Sequence, residues 1–83
     1  MAYMIVFSES ALKQLKKLDR ELQERITAVL ERIRLRPEVY VRKLVGEPGY
    51  RLRVGDYRVI VDLDKEHLLV LVIKIGHRKS IYK

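Results

Sequence analysis

Three arginines, Arg51, Arg53 and Arg58, lie in the stretch YRLRVGDYRVI, and His77, Arg78 and Tyr82 lie in GHRKSIYK at the C-terminus. Guanidinium forks match phosphate oxygens in bidentate geometry, so clustered arginines suit a phosphodiester. An imidazole titrates near neutrality and can act as acid or base, which makes His77 a candidate, although a lone histidine near a terminus is often incidental. Tyr82 can stack on a nucleobase or can pack its tail against a sheet.

The arginines share a face only if the elements around them cooperate. Gly55-Asp56 predicts a two-residue hairpin turn of the I′ or II′ kind. That turn sets Val54 opposite Tyr57, Arg53 opposite Arg58 and Leu52 opposite Val59. Alternation then sends Leu52, Val54, Val59 and Val61 to one face and Arg51, Arg53, Arg58 and Ile60 to the other. Like charges directly opposed cost some tenths of a kcal/mol per exposed pair. Asp62 shares the face but lies two pairs from Arg58. A bound anion would relieve the repulsion, although a solvated surface could also bear it.

The remaining elements follow from periodicity. Tyr3 to Phe7 is β-prone. Ser8 is a plausible cap for a helix to about Leu18, with Ala11, Leu12, Leu15 and Leu18 as its apolar stripe. Asp19 can cap a second helix whose buried face is Leu22, Ile26, Val29, Leu30 and Ile33, and Pro37 ends it. Beyond it Val41 to Val45 can form a short strand and Glu47 to Gly49 a turn. Strands then span Tyr50–Val54, Tyr57–Leu63 and Leu68–Ile75, with Gly76 ending the last. The order β-α-α-β-β-β predicts an α+β domain over residues 1–83, an αα-hairpin packed on one face of a small antiparallel sheet.

Composition narrows the chemistry. The chain has 83 residues, 48% hydrophobic and 35% charged, which is globular rather than disordered. With no cysteine and only two distant histidines, disulfides and zinc centres are excluded, and no glycine-rich phosphate loop is present. Asp56, Asp62 and Asp64 sit at turns and strand ends and read as structural. MAYMIVFSES lacks a basic segment and a cleavage site, so a strand rather than a signal peptide is expected there, in a cytoplasmic protein. The net charge is +7, and it is uneven. Lys and Arg exceed Asp and Glu by eight to six up to Val41 and by ten to five from Arg42 on. That balance favours an anionic partner such as nucleic acid or an acidic protein. Lys13, Lys16, Lys17, Arg20, Arg25 and Arg32 read as a solvated helix face.

KLVGEPGYRLRVGDYRVIVDLD and LLVLVIKIGHRKSIYK, preceded by two amphipathic helices, resemble the RelE-type toxins of toxin–antitoxin systems over essentially the whole chain. YRLRVGDYRVI and IGHRKSIY carry the resemblance most specifically. It implies a RelE-like fold and a metal-independent endoribonuclease, without cofactor, that cuts mRNA in the ribosomal A site by transesterification. It also implies an antitoxin that neutralises the toxin, which is expected to be monomeric alone and away from membranes. By position, Arg58, Arg78, Tyr82 and His77 would be catalytic, while Arg51, Arg53, Lys43 and Lys79 would hold RNA. Arg51 and Arg53 stand where well-known members place lysines, one a favoured general base, so His77 is the expected substitute. Val45 stands where those members have an arginine, with Lys43 as its nearest compensation. Two alternatives stand beside this reading: relatives of the ParE type share the fold and inhibit DNA gyrase without catalysis, and a third reading is a catalytically weak RNA- or protein-binding member of the same fold.

Overall fold

A computed structural model describes residues 2–81. Its elements are β1 (Met4–Phe7), α1 (Glu9–Lys16), α2 (Arg20–Ile33), α3 (Pro37–Tyr40), β2 (Arg42–Lys43), β3 (Tyr50–Val54), β4 (Tyr57–Asp64) and β5 (Leu69–His77). Both expected caps form. Ser8 Oγ accepts the Ala11 amide at 3.0 Å, and Asp19 Oδ1 accepts the Leu22 amide at 2.9 Å. Ser8 also donates to Ile73 O at 2.8 Å, while its amide donates to Val72 O at 2.8 Å. It therefore starts a helix and ties it to β5. Replacing Ser8 by alanine should cost about 1–2 kcal/mol, read as a fall in Tm of roughly 5–10 °C.

In α1, Ala11 and Leu15 face the core, whereas Leu12 turns to the flank and is exposed. Ile26, Leu30 and Ile33 recur one turn apart on α2 and are fully buried. Arg34 closes that end of the layer. Its Nε donates to Tyr3 O at 2.7 Å, and the Tyr3 amide donates back to Arg34 O at 2.8 Å. Pro37, buried, opens the short α3 at its first position, where its missing N–H costs nothing.

The sheet order is β1-β5-β4-β3-β2, with the helices covering one face. The α+β arrangement and the helical hairpin are as expected, but the sheet is mixed rather than wholly antiparallel, because β1 runs parallel to β5. The reason is parity. With the single-turn α3 taken as part of the link from α2 to β2, six connections separate β1 from β5, and if each reverses the chain the two strands must point the same way. Leu52, Val54, Val59, Val61, Val70, Val72 and Ile75 form the sheet's half of the core. Between β4 and β5 the register shifts, with Ile60 opposite Lys74 and Val61 opposite Val72. Ile73 is the extra residue, so Ile73 and Lys74 are both exposed before Ile75 turns inward.

The strand limits that differ most from the sequence expectation are those of β2 and β5. β2 is two residues, not five, and β5 continues through Gly76 to His77. The turn before β5 is set by Asp64, whose carboxylate accepts the His67 amide and Nδ1, each at 2.9 Å. The His67 backbone bond and then its ring hold the Asp64 carboxyl below the ordinary carboxylate range. A lowered folded pKa means stabilisation that is present above the ordinary value and lost as pH falls through the folded one. Asp64→Asn should therefore flatten the acid limb of a Tm-against-pH curve and leave its neutral limb parallel to the parent's.

Candidate nucleic-acid interface

The hairpin forms in the expected register: Val54 opposite Tyr57, Arg53 opposite Arg58, Leu52 opposite Val59 and Arg51 opposite Ile60. Gly55 has φ +59° while Asp56 keeps a negative φ, which is the II′ pattern, with glycine at the first central position where positive φ carries no strain. Leu52, Val54, Val59 and Val61 are buried under the helices, so the three arginines stand together on the opposite, uncovered face.

β2 adds a fourth. Arg42 lies directly opposite Arg51. With Tyr40 these residues line a depression of about 190 Å³, walled by Arg42, Arg51, Arg53 and Arg58. Among the described residues no carboxylate comes within ion-pair distance of any of the four. The helices differ. There Lys13 sits 3.6 Å from Glu9, Arg20 3.8 Å from Glu24 and Arg34 2.8 Å from Glu31. Asp62 does not relieve the sheet face either, since its carboxylate accepts the neighbouring Leu63 amide at 2.9 Å.

Arg58 is the most enclosed of the four and the best held. Its Nη1 donates to Gly55 O at 3.2 Å and to Tyr57 O at 3.1 Å. Across β5 it faces Gly76, which has no side chain to crowd it. Arg78 reaches the same hairpin tip. Its amide donates to Asp56 O at 2.8 Å, and its Nε lies 3.9 Å from the Asp56 carboxylate. Both groups of that pair are more than half exposed, so the contact is weak and an incoming phosphate can replace it. The hairpin tip thus holds Arg58 from one side and Arg78 from the other.

Other expected site residues fall elsewhere. His77 pairs with Tyr57, on the sheet face that carries Val59 and Ile75, and meets the Tyr57 ring edge-on at 5.4 Å. Its Nδ1 accepts the Lys79 amide at 3.2 Å. Because β5 runs on to His77, strict alternation turns this ring away from Arg58. The geometry therefore gives no support to His77 as the acid or base. Lys43 pairs with Tyr50 at the sheet edge and lines a second depression next to the arginines, while Arg42 takes the place directly opposite Arg51. Lys79 is exposed in the turn after β5. Tyr82 lies outside the described residues.

Arg42 and Lys74 were not singled out from sequence. VRKLV shows no polar–apolar alternation, the loop from Leu44 to Gly49 fixes no register, and the bulge that brings Lys74 outward has no sequence marker. Beside the arginines, a wider depression of about 800 Å³ is floored by Ile60, Ile73 and Ile81 and rimmed by Arg51 and Lys74. The Leu44–Pro48 loop overhangs it, with Val45 99% exposed.

Residues 5–82 match the family described as ParE toxin of type II toxin–antitoxin system, parDE. The mRNA interferase toxin RelE of Escherichia coli (strain K12) is 33% identical over 82 residues, covering 95% of this chain and 86% of its own length. The chain belongs to the RelE/ParE family of type II toxins. The isolated E. coli RelE toxin superposes with a TM-score of 0.81 at 30% identity, over 98% of this chain and 92% of that one. RelE in the intact E. coli RelBE toxin–antitoxin complex gives a TM-score of 0.77 at 33% identity, over 92% and 96% of the two chains. The RelE fold is therefore shared from β1 to the end of the sheet, and the uncovered arginine face belongs to a RelE/ParE scaffold.

Proposed function

We propose that this toxin is a ribosome-dependent endoribonuclease that cuts mRNA in the A site and stops translation in the cytoplasm, held in check by a cognate antitoxin. The observation that carries the reading is the quartet of Arg42, Arg51, Arg53 and Arg58, which has no ion-pair partner among the described residues and is held on one face by the β2–β3–β4 pairing. Relatives of about this length are an mRNA interferase and the toxin of a RelBE toxin–antitoxin complex, which supports both halves of the proposal.

The reaction follows from what arginines can do. The ribose 2′-hydroxyl attacks the adjacent phosphorus and gives up its proton to water, the P–O5′ bond breaks, the departing 5′-oxygen takes a proton from water, and a 2′,3′-cyclic phosphate remains. Negative charge builds on the phosphoryl oxygens in that transition state. Arg58, fixed by two carbonyls, and Arg78, whose contact with Asp56 is exchangeable, would stabilise it. Arg42, Arg51, Arg53, Lys43 and Lys79 would hold the flanking backbone, and Tyr82 would stack on a neighbouring base. A guanidinium keeps its charge throughout the neutral range and is a poor base, so alignment and charge stabilisation carry the acceleration in this scheme. His77→Gln should accordingly leave the pH dependence of cleavage unaltered; a displaced profile would return the imidazole to the chemistry.

The family match under the ParE description keeps gyrase inhibition as the second reading. Inducing the protein and mapping mRNA 5′ ends by primer extension, with a gyrase supercoiling assay on the purified toxin, separates the two. Cuts within translated codons and unaffected supercoiling are expected. Uncut mRNA with inhibited supercoiling would select the alternative.

A further inference from the structure

The segment after β5 is fastened at both ends. At its start the Arg78 amide donates to Asp56 O, and at its end Ile81 is only 4% exposed although Arg78, Lys79 and Ser80 are all exposed. Ile81 lies over Gly76. A Cβ placed on Gly76 would come within 3.1 Å of Ile81 Cδ1 and 3.4 Å of its Cβ, so a larger side chain at 76 would take the seat that Ile81 occupies. Lys74 Nζ donates to Ile81 O at 3.2 Å, and the Ser80 and Ile81 amides both donate to His77 O, at 2.9 and 3.0 Å.

The position of that seat is what gives it meaning. Gly76 is the cross-strand partner of Arg58, and opposed residues of a sheet stand about 5 Å apart. Ile81 thus comes down on the arginine face, one strand away from the best-held guanidinium, and Arg78 is enclosed between the two fastenings. A short segment such as 78–81, mostly polar, would otherwise sample many conformations, and each would carry Arg78 to a different place.

We propose that Gly76 and Ile81 form a latch that presses residues 78–81 onto the arginine face, which makes Ile81 a positioning residue acting through Arg78. The assignment rests on the RNA-cleavage reading above. Ile81 touches no reacting atom; it fixes where Arg78 can meet the phosphate. If Ile81 were only a packing residue, its loss would lower thermal stability and leave the chemistry of the folded protein intact.

The test uses Ile81→Ala, Ile81→Leu and Gly76→Val in the full chain, assayed by single-turnover cleavage of mRNA on ribosomes at a temperature where circular dichroism shows each variant folded. Ile81→Ala should lower the rate constant at saturating ribosomes about tenfold or more, because a displaced catalytic group loses alignment. The ribosome concentration giving half the maximal rate should change by less than about twofold. Ile81→Leu should restore most of the rate. Gly76→Val, which keeps Ile81 but fills its seat, should reproduce the loss. In parallel, hydrogen exchange of the Arg78 amide should accelerate in Ile81→Ala and Gly76→Val while the β4 amides keep their protection. Should the alanine variant not fold, Ile81→Val takes its place with the same readouts. A wild-type rate in Ile81→Ala, or an Arg78 amide still protected in both variants, overturns the latch. If the parent protein itself leaves ribosome-bound mRNA uncut, the cleavage reading falls, and Arg78 exchange alone decides whether the latch exists.

Discussion

Arg58→Ala is expected to lower the rate of mRNA cleavage on ribosomes by at least about a hundredfold, the scale seen when one preorganised transition-state donor is removed. Its two carbonyl contacts, to Gly55 and Tyr57, fix the guanidinium before any substrate arrives, so little reorganisation is needed at the moment of reaction. Those same contacts contribute modestly to folding, because each is one partly buried hydrogen bond at a hairpin end. Thermal melts of the variant should therefore stay within a few degrees of the parent. Arg58→Lys should fall between the two proteins, since an ammonium supplies charge without the bidentate fork. Undiminished growth arrest by Arg58→Ala would remove Arg58 from the chemistry.

Ile26→Ala should produce the opposite pattern. Ile26 is fully buried between α2 and the sheet, and emptying such a site costs about 2–5 kcal/mol. A domain of this size has a total stability of only about 5–10 kcal/mol. The variant should melt far below the parent in calorimetry and lose toxicity at growth temperature through unfolding. On ribosomes at low temperature, the fraction that remains folded should still cleave at close to the parent rate. A parent-like melting curve would mean that the helix layer is not what supports the arginine face.

These two residues also show which parts of the molecule could be read from sequence. The register around Arg58 was legible because a two-residue turn leaves the chain no choice of pairing. Ile26 was legible because its neighbours Leu22, Val29, Leu30 and Ile33 repeat at helical spacing. Both helix caps could be read for a similar reason, since Ser8 and Asp19 each act within three residues. Legibility fails where pairing is decided at a distance. The parallel β1–β5 contact depends on counting chain reversals across the whole fold. Arg42 joins the site only through a register that the Leu44–Gly49 loop does not dictate. The bulge at Ile73 shows no marker in LVLVIKIGH, yet it alone lets Lys74 face outward and Ile75 inward. His77 was misplaced for a simpler reason: Gly76 looked like a terminator, and the strand runs through it. There glycine serves a close approach by Ile81 rather than a turn.

The central claim is that guanidinium groups on the uncovered sheet face align and neutralise a phosphodiester while its own ribose attacks it. Its most direct test is cleavage by the purified protein of a single mRNA on programmed ribosomes, with the new 3′ end identified by mass spectrometry. The account predicts a cut whose upstream fragment ends in a 2′,3′-cyclic phosphate, and no cut when the nucleotide before the scissile bond carries a 2′-deoxyribose. A 3′-hydroxyl end, or equal cleavage of the deoxy-substituted message, would contradict it.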